Sequence, residues 1–90
     1  MTRYTTPLTD TLDLQYGYDR PLHNVFAQLW ENGKPLHALG LYPFITTVDE
    51  LMSAIDTMLA AYPGAALDEE RCGSIRRRLI ADGADPCPGA

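Results

Sequence analysis

The sequence is short of cysteine, of bases and of long apolar runs, and each shortage excludes a class of protein. Two cysteines in 90 residues, Cys72 and Cys87, are too few for the disulfide framework of a small secreted domain. Cys72 falls in a helical pattern and reads as a small buried apolar group, whereas Cys87 sits among Pro and Gly and reads as a free thiol. No apolar run approaches the roughly 20 residues of a membrane span, and the N-terminus lacks a basic-then-apolar leader. These absences lead us to expect a soluble, cytoplasmic protein with no membrane partner. Only seven Lys+Arg stand against twelve Asp+Glu, a net charge of −5, which argues against direct nucleic-acid binding because that footprint is basic. Enzyme signatures are missing too: there is no GxGxxG, GxxxxGK, GxSxG or HExxH. The two histidines, His23 and His37, have neither HxxxH spacing nor a CxxC beside them. No catalytic residue, metal or cofactor is therefore expected.

What is present reads as a folded domain. Hydrophobic residues make up 46% and charged residues 21%, a globular balance, and a chain of this size supports one single small domain with a modest core. We expect a loose lead-in over 1–10, a folded core over 11–83 and a flexible tail over 84–90. Leu12, Leu14, Tyr16 and Tyr18 alternate with polar residues and predict a half-buried strand over 11–18. Asn32-Gly33, between two apolar runs, predicts a type I′ hairpin joining strands 22–31 and 34–42. Read without interruption, that register sets Trp30 opposite Pro35, Leu29 opposite Leu36 and Gln28 opposite His37. One face then carries Val25, Ala27, Leu29, Leu36 and Ala38, and the other carries Phe26, Trp30, His37, Leu39 and Leu41. Pro35 has no N–H, so its strand belongs at a sheet edge, and Pro43 should end it. Thr47 and Glu50 fit a capping box that opens a helix whose apolar stripe runs from Val48 to Tyr62, with Pro63-Gly64 as its stop. A second helix is predicted from Asp68 to Gly83. The fold class expected is α+β, a three-stranded antiparallel meander with two helices packed on one face.

Charge and aromatics supply the candidate contact residues. Residues 1–70 carry ten acids and three bases, whereas 71–90 carry four bases and two acids. Asp49 and Asp56 lie two turns apart on the first helix with Glu50 beside them, and Glu69 and Glu70 follow Asp68 at the start of the second. Spaced carboxylates can substitute for phosphates in a basic groove; the competing reading is an ordinary solvated face with acids placed for the helix dipoles. Arg76, Arg77 and Arg78 point about 100° apart around a helix and so cannot form one stripe. Phe26 and Trp30, with His37 nearby, would form an apolar patch for a partner unless residues 1–10 or 84–90 fold over it.

The order of elements, an Glu31-Asn32-Gly33-Lys34 hairpin, a Thr47-to-Leu51 helix start and a short helix with Arg76 to Arg78, resembles that of small type I anti-CRISPR inhibitors encoded by mobile genetic elements. The resemblance covers residues 25–78 in layout and charge, and it implies a protein-binding inhibitor without enzymatic chemistry; it transfers no functional residue. The function expected is thus an acidic inhibitor that binds a nucleic-acid-handling complex through a basic surface on the partner. The alternative is a small homodimeric, antitoxin-like accessory protein paired through its sheet face or edge.

Overall fold

Asn32 and Gly33 take φ angles of 50° and 81°, the left-handed pair that a type I′ turn requires. They join β3 (Asn24–Glu31) to β4 (Lys34–Leu39) in the computed structural model, which describes residues 2–40 and 44–88. β2 (Leu12–Asp19) pairs along the whole of β3, with Leu14 opposite Leu29 and Tyr16 opposite Ala27. The sheet has four strands rather than the expected three. β1 (Tyr4–Pro7), inside the stretch read as a loose lead-in, pairs antiparallel with β2, giving the order β1-β2-β3-β4. Its four residues are too short and Thr-rich to announce a strand, yet they place Tyr4 opposite Tyr16 and Thr6 opposite Leu14.

The hairpin register also departs from the uninterrupted reading. Trp30 faces Pro35, but Leu29 faces His37 and Ala27 faces Leu39, because the register shifts by one residue at Leu36. A single inserted residue flips everything beyond it to the opposite side of the sheet. His37 and Leu39 therefore join the face of Leu29 and Ala27 instead of the face of Phe26 and Trp30. β4 is an edge strand, in keeping with Pro35. Leu41 and Pro43 lie outside the described residues.

Two helices cover one face of the sheet. α1 (Val48–Leu59) begins where expected: Thr47 is extended, and its hydroxyl accepts the Glu50 N–H at 3.3 Å. α2 (Glu69–Ala81) is capped by Asp68, whose carboxylate accepts the Arg71 N–H at 2.8 Å. Val48, Leu51, Ile55 and Leu59 from α1 and Ile75 and Leu79 from α2 pack on Leu12, Leu14, Tyr16, Val25 and Leu29. Each such aliphatic side chain contributes about 1.5–3 kcal/mol through burial, so the core rests on these contacts rather than on helix propensity. No helix among the described residues is long and apolar enough to cross a membrane.

The C-terminal stretch read as a tail is tied to α1. Asp85 and Thr47 form a parallel bridge, and the carbonyls of Asp85 and Pro86 accept the Val48 and Asp49 N–H groups at 2.9 and 3.0 Å. Two of the four donors that a helix N-terminus leaves unpaired are thereby satisfied.

Candidate functional site

Helix spacing decides which acids meet. On α1, Asp49 and Asp56 fall on the flank turned toward α2. On α2, Glu69, Cys72 and Arg76 form the facing stripe at i, i+3 and i+7. Asp49 is ion-paired with Arg76 across this seam. Farther along, burial pushes the Cys72 thiol above its ordinary value, Asp56, Asp68 and Glu69 push it further, and Arg76 opposes them. Carboxylates from two elements therefore converge on one seam, with Arg76 as the cation among them. The helices run in opposite directions here, which is why Asp49 meets Arg76 while Asp56 acts on Cys72 near the start of α2.

The remaining candidates lie elsewhere. Glu50 is exposed on the opposite flank of α1, in line with Ser53, Ala54, Thr57 and Ala61. Those four residues line an apolar groove of about 580 Å³ between α1 and β4, completed by His37, Ala38, Leu39 and Met58. His37 Nε2 lies 2.8 Å from the Tyr62 hydroxyl, a contact that the register shift makes available. Glu70 is exposed on the flank of α2 away from α1 and lines a separate polar cleft.

The aromatic sheet face is corrected by the structure. Phe26 is only 4% exposed, because the Arg3 guanidinium lies over its ring at 5.5 Å and Thr2 crosses Gly17 beside it. A Cβ on Gly17 would overlap the Thr2 carbonyl oxygen, so the close crossing requires glycine at that position. Trp30 is half-buried on the same face and donates its indole N–H to Gln28 at 3.1 Å. Arg3 in turn donates to Gln15 at 3.0 Å, closing a polar lattice over the sheet. Thr2 and Arg3 thus cover Phe26, while Trp30 keeps part of its surface in solvent.

The three consecutive arginines separate as their angular spacing requires. Arg76 turns to Asp49, Arg77 lies back along its own helix near Gly73, and Arg78 reaches the sheet and donates to the Tyr16 hydroxyl at 2.9 Å. The sequence reading missed Arg71, Arg78 and Tyr16 as a group. Arg71, Ser74 and Arg78 do stand at i, i+3 and i+7, but the strand that faces them is β1, which carried no signal. Cys72 and Cys87 are both free. Among the described residues, no three His, Cys, Asp or Glu side chains are grouped to hold a metal ion. No family model, curated protein or solved structure matches this chain.

Proposed function

We propose that this protein is a non-enzymatic binding module that sets its acidic α1–α2 seam against a basic protein surface. The observation that carries this reading is the convergence of Asp49, Asp56, Asp68 and Glu69, from two separate elements, around one seam. Carboxylates held on packed helices meet arginines and lysines at little entropic cost, and complementary charge raises both encounter rate and selectivity. The most concrete partner is a nucleic-acid-handling complex whose phosphate-binding groove the seam would occlude, in the manner of an anti-CRISPR inhibitor.

The homodimer alternative finds less support in the geometry. Pro35 and the shifted register at Leu36 interrupt the outer edge of β4, two devices that discourage strand addition. Phe26, one of the two aromatic anchors expected on the sheet face, is covered within the monomer, and Trp30 is half-buried. Affinity capture from the native host followed by mass spectrometry tests the proposal. A basic, nucleic-acid-binding protein retained at low salt and released at high salt supports it; the recovery of a second copy of this chain alone would replace it with the dimer.

A further inference from the structure

Between β1 and α2 lies a polar cleft of about 430 Å³, on the flank of α2 opposite the acidic seam. Arg71, Ser74 and Arg78 project into it from α2, with Thr6 from β1 and Tyr16 from β2 on the other wall. Tyr16 is the informative member. It is 1% exposed, and its hydroxyl oxygen accepts from Arg78 Nη1 at 2.9 Å. Its own O–H hydrogen has no acceptor among the described residues, although a phenol can both donate and accept. A buried, unspent donor thus faces a cleft already lined by donors.

Arg78 is fixed in advance. Its guanidinium lies 5.1 Å from the centroid of the Tyr4 ring, and the Tyr4 hydroxyl donates to Asp82 at 2.8 Å. Neither Arg78 nor Arg71 is ion-paired among the described residues, in a chain with twelve acids available. Asp68 also lines the cleft, with one carboxylate oxygen engaged by the Arg71 N–H as helix cap, and Glu70 completes the acidic end.

We infer that this cleft binds a small phosphorylated molecule carrying free hydroxyl groups. Arg78 and Tyr16 O–H would hold the phosphate oxygens, since guanidinium and hydroxyl donors match oxyanion geometry. Glu70 and the free oxygen of Asp68 would accept from the hydroxyls of the carrier. Arg71 stands about 10 Å along the helix axis from Arg78, so an organic phosphate engages both ends of the cleft where bare phosphate engages one. The inference does not rest on the acidic seam: Asp68, the N-cap of α2, borders both, whereas Arg71, Ser74, Arg78 and Tyr16 belong to the cleft alone.

Titration calorimetry of the full chain in phosphate-free buffer tests it, with ribose 5-phosphate, ribose and inorganic phosphate as probes. Ribose 5-phosphate should bind, ribose should not, and inorganic phosphate should bind more weakly than the sugar phosphate. Arg71→Gln should weaken sugar-phosphate binding by about tenfold or more, the usual consequence of removing a charge-assisted donor. Among the described residues the Arg71 guanidinium makes no hydrogen bond, so this variant should fold; Arg77→Gln, outside the cleft, should bind as the parent does. No binding of either phosphate at millimolar concentration, or equal binding by Arg71→Gln and the parent, would overturn the assignment. Equal affinity for inorganic phosphate and sugar phosphate would overturn the role given to the acidic end.

Discussion

Asp49, in the first turn of α1, is ion-paired with Arg76, two turns into α2, and the pair joins the helices at the end of the seam where the C-terminal segment also docks. The pair fixes orientation more than it stabilises. Both side chains keep over two-fifths of their surface in solvent, at 41% and 45%, so screening limits the coupling to about 0.2–1 kcal/mol. A double-mutant cycle with Asp49→Asn and Arg76→Gln, followed by urea denaturation, should return a coupling in that range that falls as salt is added.

The docked segment at 84–86 should matter more than that ion pair. Ending the chain after Gly83 removes the buried Ala84 and strips the Val48 and Asp49 N–H groups of their acceptors. We expect a loss of about 1–3 kcal/mol, and Thr47→Ala, which removes the neighbouring cap, should cost about 1 kcal/mol. Urea midpoints of the two variants check both values, and an unchanged midpoint for the truncation would show that the segment is not held.

Cys72 reports on the acidic seam from within. Its thiol is raised by burial first and then by Asp56 and Asp68. In a Cys87→Ser background, the pH profile of alkylation should therefore lie above that of a free cysteine. Asp56→Asn should move it down, and Arg76→Gln should move it up. A profile indifferent to both would place those charges away from the thiol.

Tyr4 gives a pH dependence of known sign. Its hydroxyl is raised above its ordinary value of 10.0, mainly by donating to Asp82, with burial and the Asp82 charge adding to the effect. Folding favours the protonated form, so this contribution is fully present below the ordinary value and is lost as pH rises through the folded one. Spectroscopic titration should show the Tyr4 hydroxyl ionising above its ordinary value, and Asp82→Asn should lower it. Around neutral pH the bond should contribute no slope to stability.

The legible parts of the fold are those where one residue carries a backbone demand. Asn32-Gly33 specifies its turn through two positive φ angles, Thr47 and Asp68 announce helix starts by capping, and Pro35 marks an edge by lacking a donor. β1 was not legible because Tyr4–Pro7 gains its structure from pairing with β2 rather than from local preference. The shift at Leu36 was invisible for a different reason: one inserted residue leaves composition and alternation almost intact while reversing the faces of His37 and Leu39. The same two events decide the sites. Without β1 there is no cleft for Arg71 and Arg78, and without the shift His37 does not meet Tyr62. The acids were readable as residues, but which of them share a seam depended on how the helices pack.

The most direct measurement is a side-by-side capture from the native host with the parent chain and with Asp56→Lys/Glu69→Lys, which reverses the seam while leaving the Asp49–Arg76 pair in place. The parent should retain a basic protein in a salt-sensitive manner, and the reversed variant, folded to the same extent by circular dichroism, should lose it. Equal retention of that protein by both chains would rule out the seam as the contact surface.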